Sequence, residues 1–193
     1  MSETVALKEW AAVVRALREG RQIVVLRKGG IAEETREFRL ESHSFALYPT
    51  YEHQKPEWLK PEFRPLVEAT AALVRTDRTE WIDAWAEVIN DLEIWEKEGV
   101  ERLRGFHIWT DDLVDNRLKW KPGKPLHALV LRVYRLDPPI EVPFREEYAG
   151  CRSWIRLNVP IPFDRSTPAL PDAEFEAKAR LLADLCRNGA DSI

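Results

Sequence analysis

Residues 126–136, LHALVLRVYRL, constrain the fold more than any other stretch. The run is too apolar to be a loop, and both of its alternating faces are mainly apolar. A strand of this kind has to be covered on both sides. The chain is therefore expected to be an α+β protein, with a mixed β-sheet flanked by N-terminal and C-terminal amphipathic helices. A length of 193 residues suggests a single globular domain over 1–193 and allows a substantial core without disulfide staples.

Periodicity supplies the rest of the outline. Leu7, Trp10, Val14 and Leu17 form one apolar stripe at helical spacing, predicting a helix over 5–19 with Gly20 as its stop. QIVVLRK (22–28) reads as a strand buried on both faces. EFRLE (37–41) and SFALY (44–48) read as strands joined at Ser42-His43. A helix is expected over 65–74, with Leu66, Ala69, Leu73 and Val74 turned inward. The stretch 82–91 fits strand and helix patterns alike and is read as strand. Short helices follow at 96–103 and after Thr110, whose hydroxyl can cap while Asp111 and Asp112 favour the first turn. KPGKP (121–125) is a turn, DPPIEVP is extended and irregular, and GCRSWIRL (150–157) is a strand. A closing helix carries Phe175, Ala179, Leu182 and Cys186 on one stripe.

Composition narrows the function classes. The net charge of -4 argues against binding led by the nucleic-acid backbone, although 29 Lys and Arg leave room for a local basic groove. Cys151 and Cys186 form no CxxC pair, and the four histidines are dispersed. No HExxH, GxSxG or zinc-ligand series occurs, so no metal site and no cofactor is expected. The N-terminus lacks a signal-like pattern and no apolar run approaches 18 residues, so the expected location is cytoplasmic with reduced thiols.

Four polar clusters stand out. In LRKGGI, Gly29 and Gly30 let the backbone turn or approach an anion beside Arg27 and Lys28. The spacing matches no phosphate-binding loop, so a hairpin turn with an exposed basic pair is the leading explanation. In YPTYEHQ, Pro49 bends the chain, and Thr50, Tyr51, Glu52, His53 and Gln54 collect at a strand end. Glu52 and His53 are the acid–base candidates there. Arg132 lies on a largely apolar strand face and needs a carboxylate or a bound anion. In CRSWIRL, Arg152, Trp154 and Arg156 share one face, and Cys151, Ser153 and Ile155 the other. Trp154 between two arginines can stack a base or complete an internal cation–π stack. Cys151, on the apolar side, reads as inert.

ALKEW (6–10), LRKGGI (26–31), YPTYEHQ (48–54), RVYRL (132–136) and YAGCRSW (148–154) together resemble an uncharacterised bacterial family, domain of unknown function 1802. The resemblance runs from about residue 6 to about residue 157. It implies a bacterial, cytoplasmic protein and carries no catalytic assignment. The predicted order of elements over 5–90 is also similar to the core of the PD-(D/E)xK nucleases. That family needs an acid on the second strand and an acid–lysine pair on the third. The second strand here offers Glu37 and Glu41, but SFALY has neither acid nor lysine.

The expected function is binding of an anionic ligand, a nucleotide or a nucleic-acid end, in one polar pocket. Arg27, Lys28, Gly29, Gly30, Thr50, Tyr51, Gln54, Arg132, Ser153 and Trp154 would line it. A divergent metal-dependent phosphodiesterase and an interaction module whose motifs are purely structural are the alternatives. No membrane partner is expected.

Overall fold

The computed structural model describes residues 3–28 and 38–187. One sheet organises them, in the order β2-β5-β4-β3-β1-β6, with β7 (Ser166–Pro168) pairing β5. Its centre is a long antiparallel ladder between β4 (Thr79–Ile94) and β5 (Leu126–Pro143). β5 is buried on both faces from Ala128 to Val133, as its doubly apolar pattern demands. β3 (Ser44–Thr50) continues the sheet antiparallel to β4, and β1 (Thr4–Trp10) then runs parallel to β3. β6 (Trp154–Leu157) closes one end and β2 (Val24–Arg27) the other. The α+β reading with a mixed sheet holds.

The sheet is curled. Three strands separate β2 from β1, which would put them about 19 Å apart in a flat sheet. Yet an Arg27 Nη of β2 donates to the Lys8 carbonyl of β1 over 2.6 Å. Register shifts at Ile82/Ala84 and Val88/Asn90 bend β4 against β5 and account for part of this curl. The main core lies on the side of α1 (Ala11–Arg18), where Leu7, Leu17, Phe45, Leu47 and Leu129 are fully buried. A second core gathers Ala6, Tyr48, Ile82, Leu136 and Tyr148. There Trp85 lies between Tyr134 and Phe163, each ring centroid 4.3 Å away.

Several expectations are corrected. The helix predicted over 5–19 begins only at Ala11, and Thr4–Trp10 is strand. β1 pairs with β3 on one side and β6 on the other, so two ladders outweigh a local helical stripe. This also removes the nuclease-like element order, which required an initial helix. β3 has both of its edges occupied by β1 and β4, so Phe38–Glu41 finds no ladder and is irregular; Glu37 lies outside the described residues. Helix α2 spans Pro65–Ala71, and Leu73 and Val74 beyond it are exposed rather than inward. The strand expected at 150–157 begins at Trp154, leaving Cys151 exposed in the preceding loop instead of on an apolar face.

The remaining helices are α3 (Lys97–Arg102), α4 (Asp111–Lys119) and α5 (Asp172–Arg187). Phe175 and Leu182 are buried on the α5 stripe. The Thr110 hydroxyl accepts from the Leu113 N–H at 3.4 Å and caps α4. Thr110→Ala should cost about 1 kcal/mol, read as a lower urea midpoint at unchanged slope. An unchanged midpoint would show that the cap contributes nothing.

Candidate ligand site at the end of the first strand

β1 turns directly into α1, and the turn is built from polar groups. Lys8 and Glu9 alternate across the strand. Lys8 points to the second core, where its ammonium donates to the carbonyls of Tyr148 (2.7 Å) and Gly150 (2.8 Å). Glu9 points the other way and is only 4% exposed. Its carboxylate accepts the Trp10 N–H at 2.8 Å and an Arg27 Nη at 3.0 Å. A buried carboxylate persists only with such partners.

Two further elements bring charge to this point. Arg117 of α4 donates to the Leu26 carbonyl at 3.1 Å, and its guanidinium lies 5.3 Å from the Trp109 ring centre and 5.7 Å from that of Trp10. Burial works against its charge, Glu9 supports that charge, and Arg27 adds repulsion. Arg27 therefore holds the carboxylate directly, and Arg117 feels its charge without contacting it. Arg27 Nε and Trp109 Nε1 are buried and have no hydrogen-bond partner among the described residues. At the surface, Trp10 stacks on Trp58 with centroids 5.7 Å apart and planes 15° from parallel. The Lys55 ammonium stands 4.9 Å from the Trp58 centroid.

Part of the YPTYEHQ motif is tied to the same place. Trp10 and Thr50 are register partners, and the Thr50 hydroxyl donates to the Glu9 carbonyl at 3.1 Å. Gln54 accepts the Ala12 N–H at 3.3 Å, satisfying one of the orphan donors at the start of α1. Its amide reaches the Thr70 hydroxyl at 3.5 Å. Tyr51 turns aside and donates to Glu80 at 3.0 Å, beside a small pocket of about 80 Å³ that Asp83 also lines. Burial raises the pKa of both Glu80 and Asp83. Glu52 and His53 are exposed on the following turn, His53 at φ 64, and neither side chain is hydrogen-bonded among the described residues.

The other predicted site residues lie elsewhere. Lys28 donates to the Leu118 carbonyl of α4, and burial lowers its pKa. Gly29 and Gly30 lie outside the described residues. Arg132 is opposite Glu87, and Glu87 is opposite Ser44. That places Arg132 level with a point six residues, about 20 Å, along β3 from Thr50. It pairs with Asp172 at the start of α5 and lies over Phe175 at 4.7 Å. Trp154 is buried, packs against Phe38 and Phe45, and donates to the Arg39 carbonyl at 2.8 Å. Ser153 meets β1 through its carbonyl, which accepts the Lys8 N–H at 2.8 Å. Thus Arg27, Thr50 and Gln54 gather at the end of β1, while Arg132 and Trp154 serve internal packing.

Sequence reasoning missed Glu9, Trp10, Trp58 and Arg117. The signal for Glu9 was the alternation within ALKEW, which a helical stripe on the same residues concealed. Among the described residues, no three of His, Cys, Asp and Glu gather as metal ligands. No described helix is long and apolar enough to cross a membrane.

No curated protein matches the chain. Among solved structures it is similar to ASCH from Zymomonas mobilis, at 14% identity and a TM-score of 0.43, over 92% of this chain and 94% of that one. A serine-to-alanine mutant of that protein gives 12% and 0.45 over 92% and 94%. A tyrosine-to-phenylalanine mutant gives 10% and 0.48 over 92% and 96%. The family described as "Domain of unknown function (DUF1802)" matches residues 6–180, and the chain belongs to it.

Proposed function

We propose that the end of β1 binds an anionic ligand, a nucleotide or the end of a nucleic-acid strand. One observation carries this reading: Arg27 is ion-paired with the buried carboxylate of Glu9, and Arg117 lies within that carboxylate's field, beside a partly exposed Trp10–Trp58 stack. The excess positive charge suits phosphate oxygens, because guanidinium forks pair with them directionally. The tryptophan pair suits a base that takes the place of the Lys55 ammonium over Trp58, and such stacking contributes about 1–3 kcal/mol. Three of the five family motifs, ALKEW, LRKGGI and YPTYEHQ, contribute groups to this point. Glu52 and His53, on the exposed turn after Thr50, would meet whatever part of a ligand projects past the strand end.

Tryptophan fluorescence provides the test. AMP and a short single-stranded oligonucleotide should quench the emission at low salt, and added salt should weaken the effect. Arg117→Met and Trp58→Ala should each reduce the affinity about tenfold or more. The reading is wrong if neither probe binds, or if binding is indifferent to both substitutions.

A further inference from the structure

A polar cavity, of about 370 Å³, opens on the β2–β5–β4 side of the sheet. Its chemistry centres on His127, which as a lone histidine in the sequence attracted no role. His127 is the register partner of Arg27 on β2 and of Glu93 on β4. Directly paired residues project to the same face of a sheet, about 5 Å apart at Cα. Asp91, paired with Leu129 two residues along, shares that face. Its two carboxylate oxygens lie 3.0 and 3.1 Å from His127 Nδ1.

This contact decides what the imidazole can do. The carboxylate holds the proton on Nδ1, so Nε2 is left to act on something else. The ring packs against Phe38 with centroids 5.4 Å apart and is mostly shielded from solvent. Lys28 from the end of β2, Lys124 from the 121–125 turn, Glu93 and the exposed Trp95 complete the cavity wall. Among the described residues, the charged groups around it are Lys28, Lys124, His127, Glu93 and Asp91, with Arg27 register-paired to His127 on the same face and ion-paired to Glu9. Protonating His127 adds one positive charge to the wall and a directed donor at Nε2. Asp91 favours that protonated form, raising the His127 pKa above the ordinary 6.5.

We propose that this cavity is a phosphate subsite in which protonated His127, held by Asp91, donates to the anion alongside Lys28. The proposal rests on the preceding reading only for the class of ligand. The phosphate could be free or the terminal group of a larger molecule, and the probes below separate these. Binding strengthens as pH falls through the His127 transition and weakens above it.

Sulfate is the primary probe because its charge is constant over the range used, and inorganic phosphate and AMP are the companions. Binding is followed on the full chain by NMR of the histidine Cε1–H signals and by calorimetry. Wild-type protein should bind sulfate about tenfold more tightly at about pH 6 than at about pH 8.5, with the His127 signal moving on binding. His127→Gln should bind sulfate weakly and equally at both values. Asp91→Asn should move the pH dependence to lower pH, which keeps the test decisive if His127→Gln folds poorly. Tighter binding of AMP than of inorganic phosphate would assign the subsite to a terminal phosphate, and the reverse to the free ion. Sulfate binding that is independent of pH in the wild type, or a pH dependence unchanged in both variants, overturns the proposal. Arg117→Met separates the two sites. Loss of AMP quenching with sulfate binding intact leaves this subsite standing by itself. Loss of the sulfate response with AMP quenching intact removes only this subsite.

Discussion

Glu9→Gln should be the most damaging single polar substitution in the molecule, with a loss of about 3–5 kcal/mol of stability. The reason is the company the carboxylate keeps. It is buried, it is bonded to Arg27, and it is the negative charge that supports Arg117. Removing it strands two guanidiniums in a place with little water. The loss is electrostatic, because a glutamine oxygen can still accept the Trp10 N–H and the backbone carbonyl that takes the Thr50 hydroxyl is unchanged. Urea unfolding should show a much lower midpoint with an unchanged slope. Combining Glu9→Gln with Arg27→Met should recover part of the loss, since one stranded charge is then gone. A single-variant loss below about 1 kcal/mol would mean that water reaches this cluster freely and that it behaves like a surface ion pair.

Acid sensitivity should come largely from His107. It is 3% exposed, and neither ring nitrogen has a hydrogen-bond partner among the described residues. Burial first, and then the nearby Lys60 ammonium, push its pKa down to about 3 from the ordinary 6.5. In the unfolded chain the imidazole takes its proton near the ordinary value. As pH falls below about 6.5 the unfolded state therefore gains protons that the folded state cannot accept. Stability is lost progressively down to about pH 3, by roughly 4–5 kcal/mol in all. Glu80 and Asp83 act in the opposite direction, because burial raises their pKa and acid then favours the fold. A comparison with His107→Leu isolates the histidine. The variant should be no less stable than the wild type near pH 4, and its urea midpoint should fall much less between pH 7 and pH 4. Parallel midpoints for the two proteins across that range would place the acid sensitivity elsewhere.

Local pattern and tertiary context divided the structure between them in a way these residues make plain. The double apolar face of LHALVLRVYRL, the stripe of α5 and the Thr110 cap were readable because each reports a property of its own few residues: which sides are buried, and which backbone donors need a partner. The same argument identified Arg27 and the 50–54 loop as polar groups at strand ends. It could not say that ALKEW would be strand. That depended on two ladders supplied by residues about 40 and 150 positions away. Nor could it separate Arg132, neutralised by Asp172, from Arg27, which is paired with Glu9 in a cluster that Arg117 also charges. Periodicity in the sequence determined which faces are covered and where the elements lie. The curl of the sheet alone decided which charges meet, because an ion pair depends on distance in space, and neither partner's neighbours in the chain encode that distance.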